Sequence, residues 1–236
     1  MKIRKLSEKN ALRLSIGVIV VLWLQKIIRN TFNIDSTKDS FDSMPEVFLQ
    51  ASVVGIVTIL VVSLLLYLSK EKYKDIGFSK QNILRQLRFG FSFGVLIFII
   101  DTFAVSPIVD VLIPKTSTGG VEMRKLFASI YYLPIWIVIS LLKGGFSEEL
   151  WRIFTLTRFE KYYGRAGLFF ALILGSIIFG IGHLYQGIGG MISISIIGLF
   201  YALVYLRKRL ALEAVCAHAT FDLISVALGF IVYSGS

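Results

Sequence analysis

The sequence predicts an all-α fold, a polytopic bundle of about seven transmembrane helices. Hydrophobic residues make up 56% of the 236 residues and charged residues 17%, whereas ordinary soluble domains carry about 25% charged residues. The apolar residues are gathered into runs long enough to cross a bilayer as helices. No linker rich in proline or serine divides the chain, so we expect one integral membrane domain overall.

The apolar runs define the predicted spans in chain order. They cover roughly residues 14–28, 47–67, 89–113, 128–161, 166–184, 191–206 and 210–233. No small-residue cleavage site follows the first run, so we expect a retained helix rather than a signal peptide. Residues 81–88, just before the third span, are predicted to form a short amphipathic helix at the membrane interface.

Glycines indicate where the later spans continue and where they turn. The fourth span is expected to be unbroken to about Lys161, because no glycine or proline lies between Phe146 and Tyr163. The stretch YQGIGG, residues 185–190, is expected to make a tight connection between the fifth and sixth spans.

The net charge of +10 is explained by the loops of a membrane protein. Most Lys and Arg residues fall in segments 1–13, 69–88, 158–165 and 207–209, which lie on one side if the chain crosses seven times. An excess of basic residues marks the inner side of a membrane, so the N-terminus is predicted to be inside. Lys26, at the end of the first span, is expected to reach the interface.

The same charge pattern decides between the bilayer and nucleic acid as a partner. No basic face with interleaved aromatic residues stands apart from the spans, which argues against nucleic-acid binding. The expected partner of the apolar surface is therefore the lipid bilayer.

The stretch GGFSEELWRIF, residues 144–154, places two adjacent carboxylates in an apolar helix. Residues three and four apart are neighbours on a helix, so Arg152 can reach either Glu149 or Glu148. One carboxylate is then free to accept a proton or to polarise a water molecule. An ion pair that only orients the helix is the structural alternative.

Both histidines of the chain lie in predicted helices with polar or small neighbours. His183 follows Phe179 by four residues on one face. His218 and Asp222 are also four residues apart, so the carboxylate can orient the imidazole. A carboxylate with two imidazoles is suited to activating water and stabilising an oxyanion, and it is also a candidate His₂Glu metal site.

These three stretches resemble the CPBP family of intramembrane proteases, which includes the type II CAAX prenyl endopeptidases and the bacterial Abi proteins. The family pattern is a Glu-Glu pair followed by Arg, then F-x-x-x-H, then H-x-x-x-N/D, on separate helices. The matching residues in this sequence are Glu148 and Glu149 with Arg152, Phe179 with His183, and His218 with Asp222. The resemblance covers about residues 128–225. We therefore expect N-terminal helices and loops over residues 1–127 and CPBP-like catalytic helices over residues 128–236.

The resemblance implies a peptidase that acts inside the membrane on a peptide or protein substrate. By similarity, Glu148 and His183 activate the attacking water. His218 and Asp222 line the oxyanion site, and Arg152 orients the Glu pair. The family has been described both as metal-dependent and as metal-independent, so zinc held by Glu148, His183 and His218 is an alternative to a glutamate-type mechanism.

The first motif departs from the family pattern in its spacing. The family usually has three residues between the Glu pair and the arginine, and here there are two. One residue fewer moves Arg152 about 100° around the helix. Glu148 is the expected base because the pair itself aligns, and Glu149 is the second choice.

Two other functions are compatible with the sequence. One is a non-enzymatic membrane protein with an immunity or scaffold role. The other is a proton-coupled carrier, for which Asp101 and Asp110 in the third span are the best support, although no inverted repeat accompanies them. The short loops and compact spans suit a bacterial inner membrane.

Overall fold

The computed structural model describes residues 6–32, 43–113, 127 and 129–233, and this part of the chain is helical and contains no strand. The α-helices are α1 Glu8–Thr31, α2 Met44–Leu68, α3 Ile83–Ile100, α4 Ser106–Leu112, α5 Leu133–Ile139, α6 Glu149–Ile181, α7 Gly187–Lys208 and α8 Ala211–Tyr233. Short 3₁₀ segments cover Tyr73–Ile76, Ile130–Tyr132 and Leu184–Gln186, and two π-helical segments cover Asp101–Val105 and Ser140–Glu148. The predicted all-α membrane bundle is confirmed.

Six helical stretches of the described chain are long and apolar enough to cross a membrane. They are Glu8–Thr31, Met44–Leu68, Ile83–Leu112, Ile130–Ile181, Leu184–Lys208 and Ala211–Tyr233. The fourth has 52 residues, more than twice the roughly 20 that a spanning helix needs. It therefore contains both the fourth and the fifth predicted spans.

The long stretch reverses direction inside α6, at Gly164. Its backbone is at φ 66° and ψ −151°, outside the helical region, and only glycine adopts such angles readily. The rings of Phe159 and Phe170 stack on each other across this point with centroids 5.8 Å apart. The Arg152 guanidinium lies 4.3 Å from the Phe179 ring, whereas a straight helix would separate these residues by about 40 Å. α6 is thus a helical hairpin.

Two local predictions were wrong. Residues 83–88 do not form a separate interfacial helix, because α3 runs from Ile83 without a break into the third span. Their apolar neighbours continue the same helix, so nothing ends it at the interface. The glycines of YQGIGG also do not all lie in a loop, since α7 already begins at Gly187.

Small residues bring α8 into close contact with its neighbours. A Cβ on Gly94 of α3 would lie 2.6 Å from the Thr220 side chain, and a Cβ on Gly145 would lie 2.7 Å from the Ala219 side chain. Such separations are shorter than van der Waals contact, so only glycine permits them. Close approach through small residues is typical of helix packing in membranes. It places α8 against the π-helical segment that ends at Glu148, the first residue of the Glu pair.

Ion pairs fix the helix ends on the side that carries most basic residues. Glu71 pairs with Arg158 and Lys161, and Arg209 binds the Glu160 carboxylate through two nitrogens at 2.6 and 2.8 Å. Burial raises the pKa of the Glu71 carboxyl, but the bonds from Arg158 and Lys161 outweigh burial and hold that pKa below its usual range.

Candidate active site

The π-helical segment Ser140–Glu148 forms one wall of the site. Its backbone hydrogen bonds span five residues rather than four. Residues five apart therefore lie close together, whereas a regular α-helix would place them about 140° apart. Lys143 and Glu148 are five apart, and the Lys143 Nζ lies 2.9 Å from Glu148 Oε1. Both side chains are partly exposed, by 34% and 20%.

The second carboxylate of the pair is buried and is bound through one oxygen, Oε1, while its Oε2 has no hydrogen-bond partner. Glu149 has no exposed side-chain surface and forms an ion pair with Arg152, three residues on. The His218 Nδ1 lies 2.8 Å from the same oxygen, Glu149 Oε1. The shortened spacing between the Glu pair and the arginine thus directs Arg152 to Glu149, and Glu148 is the carboxylate that keeps an open side.

His218 of α8 lies between the carboxylates. Since a carboxylate only accepts hydrogen bonds, the Nδ1–H of His218 donates to Glu149, and this contact assigns the tautomer. The Nε2 then faces Glu148 Oε2 at 3.7 Å and Asp222 Oδ1 at 3.6 Å. The imidazole stacks on the Tyr201 ring of α7 with centroids 4.3 Å apart. Glu149 and Tyr201 together fix the orientation of the ring.

Phe179 connects the other histidine to this cluster. Its ring centroid lies 5.0 Å from that of His183 and 5.9 Å from that of His218, so the phenyl ring separates the two imidazoles. The His183 Nδ1–H donates to the Phe179 carbonyl at 3.0 Å. This bond leaves the Nε2 of His183 as an acceptor. Glu148 interacts electrostatically with both histidines.

Gly144 gives Asp222 its place in the site. A Cβ at Gly144 would collide with Asp222 Oδ2, and it would lie 3.7 Å from the Nε2 of His218. The glycine therefore allows the π-helical segment and α8 to share one polar space. The structure thus brings Glu148, Glu149, Arg152, His218 and Asp222 together, with His183 reached through Phe179.

Lys143, Lys26 and Tyr201 were not among the predicted members of the site. Lys143 carried a usable signal, because it is an ammonium in an apolar span, but its contact with Glu148 depends on the π-helix. Lys26 was expected to reach the membrane interface, and its position beside the motif residues was not predicted. Its ammonium lies 5.7 Å from the Phe179 ring and against Gly182, because the hairpin of α6 packs on α1. Tyr201 had no signal beyond its apolar helix.

The metal alternative finds no support in this geometry. Within the described residues, no group of three or more His, Cys, Asp or Glu side chains is arranged to hold a metal ion. Of the three proposed ligands, Glu148 pairs with Lys143. Each histidine bonds within the protein through Nδ1 and leaves its Nε2 as an acceptor, which by itself is compatible with a metal ligand.

Asp101, which supported the carrier alternative, is engaged locally. Its carboxylate accepts a hydrogen bond from the Ser106 hydroxyl at 3.0 Å, across the π-helical turn Asp101–Val105. The bond accounts for a polar residue at this depth without a proton relay.

Residues 129–224 match the family model described as type II CAAX prenyl endopeptidase, Rce1-like. The predicted family is confirmed for this part of the chain. The Rce1-like region contains the Glu pair, Arg152, both histidines and Asp222. The match supports a protease, a hydrolase of peptide or protein substrates, in an integral, multi-pass membrane protein. No match was found among curated proteins or among solved structures.

Proposed function

We propose that this protein is an intramembrane endopeptidase of the glutamate type, in which Glu148 activates the water that attacks the peptide bond. The observation that carries the proposal is the division of labour within the Glu pair. Glu149 is buried and held by Arg152 and His218. Glu148 keeps Oε1 on Lys143 and presents Oε2 toward the Nε2 of His218 at 3.7 Å. The same Nε2 faces Asp222 Oδ1 at 3.6 Å.

The open side of Glu148 suits a bound water molecule. Polar atoms more than 3.5 Å apart are commonly bridged by water. A carboxylate that holds a water can remove its proton as the oxygen attacks the substrate carbonyl. The Nε2 of His183, whose Nδ1–H is bonded to the Phe179 carbonyl, is the acceptor for the second hydrogen of the same water.

Arg152 is a positioning residue in this mechanism. It neutralises Glu149 and lies over the rings of Phe179 at 4.3 Å and Tyr201 at 5.4 Å. Cation–π contacts and a buried ion pair restrict its position. Since Glu149 holds the Nδ1 of His218, Arg152 fixes His218 through Glu149 rather than by touching the substrate.

The contacts of His218 argue against the oxyanion role that the resemblance implies. With its Nδ1–H donated to Glu149, a neutral His218 has no hydrogen on Nε2. Asp222 lies 3.6 Å from that same Nε2. We therefore assign His218 and Asp222 to binding the water network on the open side of Glu148.

The test is cleavage of a quenched fluorescent peptide library by the purified protein in lipid, with and without a chelator. Wild type is expected to cleave in both conditions. Glu148→Gln is expected to lose at least about 10³-fold in rate, at the upper end of the range for removal of a general base, and His183→Ala is expected to lose less.

The matched control is Glu160→Gln, which removes a partly exposed, ion-paired glutamate outside the site and is expected to leave cleavage unchanged. Equal cleavage by wild type and Glu148→Gln would contradict the proposal. Loss of wild-type cleavage with the chelator would contradict the metal-free mechanism and favour the zinc alternative. The non-enzymatic and carrier alternatives both predict no cleavage that depends on Glu148.

A further inference from the structure

The groups assigned above supply no exposed hydrogen-bond donor for the oxyanion. Attack by water puts negative charge on the carbonyl oxygen, and proteases stabilise it with preorganised donors. The Nδ1–H of His218 is held by Glu149, and the Asp222 carboxyl faces the Nε2 of His218 at 3.6 Å. Arg152 is 10% exposed, is bound to Glu149 and lies between two rings. The Arg152 Nη2 and the Tyr201 hydroxyl have no hydrogen-bond partner, but both atoms are buried, so neither is exposed to a substrate in this structure.

Lys143 is the cation that can donate a hydrogen bond to the oxyanion. Its ammonium has three N–H donors, and its Nζ lies 2.9 Å from Glu148 Oε1. Its side chain is 34% exposed, more than three times the exposure of Arg152. Lys143 also interacts electrostatically with Asp222 and Tyr185, which places its charge over the same polar space.

We propose that Lys143 is a catalytic residue that donates a hydrogen bond to the oxyanion of the tetrahedral intermediate. This inference rests on the proposed peptidase function. This role depends on the π-helix Ser140–Glu148. Its hydrogen bonds between residues five apart place the Lys143 ammonium beside the Glu148 carboxylate.

The reaction balances with these groups alone. Glu148 takes one proton from the water, and the water oxygen forms a bond to the carbonyl carbon. The π electron pair of the C=O bond moves onto the carbonyl oxygen, which becomes the oxyanion. The Lys143 ammonium donates a hydrogen bond to that oxygen and stays protonated. When the carbonyl re-forms, the C–N bond breaks, its electron pair stays on the nitrogen, and the nitrogen takes the proton from Glu148.

The position of Lys143 favours the transition state over the ground state. Before attack, the negative charge near the ammonium is on Glu148. During attack Glu148 becomes neutral as the proton arrives, and the charge appears on the substrate oxygen. The Lys143 ammonium, fixed beside both groups, loses its charged partner Glu148 as the charged substrate oxygen appears. Its contact with the oxyanion is therefore strongest in the transition state.

The experiment compares wild type, Lys143→Met and Lys143→Gln, with the best substrate from the library and with its phosphinate analogue, which mimics the tetrahedral anion. Lys143→Met is expected to lower kcat by about 10²- to 10³-fold, as for removal of one oxyanion donor. KM is expected to stay within about threefold, because the contact forms in the transition state. Affinity for the phosphinate is expected to fall by a factor similar to the loss in kcat.

Lys143→Gln and one further variant, Lys161→Met, control for folding and for charge. Lys143→Gln keeps a hydrogen bond to Glu148 but has no charge, so it is expected to fold and to lose at least about tenfold in kcat, because a charge-assisted bond is about twice as strong as a neutral one. Lys161→Met removes a lysine that pairs with a glutamate outside the site and is expected to leave kcat unchanged.

The outcomes separate this inference from the proposed function. If wild-type cleavage depends on Glu148 while Lys143→Gln keeps wild-type kcat, the inference is overturned and the peptidase proposal stands. A loss of kcat without a loss of phosphinate affinity would also overturn it, because a structural effect would then explain the rate. If wild type shows no cleavage that depends on Glu148, the proposed function fails and the role of Lys143 falls with it.

Discussion

Replacing Arg152 by methionine tests the physical basis of the site. The ion pair between Arg152 and Glu149 is buried, with 10% of the arginine side chain and none of the glutamate side chain exposed. Methionine fills much of the same volume but leaves the Glu149 carboxylate with only His218 as a partner. Removing one member of a buried ion pair costs about 3–5 kcal/mol, so we expect Arg152→Met to lower the free energy of unfolding by that amount.

The assay is equilibrium unfolding in mixed detergent micelles, followed by circular dichroism, for wild type and three variants. A loss of 3–5 kcal/mol changes the folding equilibrium by about two to four orders of magnitude. Glu149→Gln alone and Glu149→Gln with Arg152→Met complete a double-mutant cycle. The double variant carries no uncompensated carboxylate, so we expect it to recover most of the stability that Arg152→Met loses.

The reasoning would be refuted by either of two results. One is an Arg152→Met protein less than about 1 kcal/mol below wild type, which is the value expected for an exposed pair. The other is a double variant as unstable as Arg152→Met itself, because the loss would then come from packing against Phe179 and Tyr201 and not from a stranded charge.

Three more predictions follow from the described contacts. Gly144→Ala is expected to displace the Asp222 carboxylate, with which its Cβ would collide, and to lower the rate of peptide cleavage at least about tenfold; an unchanged rate in the same assay would contradict the placement of Asp222. Gly164→Ala meets no atom within 4 Å but puts a Cβ on a backbone at φ 66°, so unfolding measurements are expected to show a loss of about 1–3 kcal/mol from strain alone. Because the pKa of Glu71 is lowered by its bonds from Arg158 and Lys161 despite burial, its stabilising effect is present above the pKa of the unfolded chain, about 4.3. Thermal unfolding temperatures should therefore fall as the pH drops below about 4.3 and through the folded pKa, and a Glu71→Gln protein that shows the same fall would refute this.

The sequence alone determined the class of the protein and singled out six candidate site residues, but not Lys143, Lys26 or Tyr201. Mean hydropathy and long apolar runs require helices, because a backbone in lipid must satisfy its own hydrogen bonds. Charged and imidazole groups inside such helices are costly unless they have a function or a partner. That rule singled out Glu148, Glu149, His183 and His218 without any knowledge of the fold. The motif spacing was enough to predict the family, which the match to residues 129–224 confirms.

The tertiary structure decided which groups are paired and which are open. Regular 3.6-residue periodicity cannot predict a π-helix, so the contact between Lys143 and Glu148 was invisible in the sequence. The reversal at Gly164 was also hidden, since a single glycine in a basic segment permits a turn but does not require one. Once α6 folds back, Phe179 lies over Arg152. Packing of α8 against the π-helical segment then brings His218 to Glu149, and contacts between residues 69 positions apart depend on helix packing rather than on local sequence.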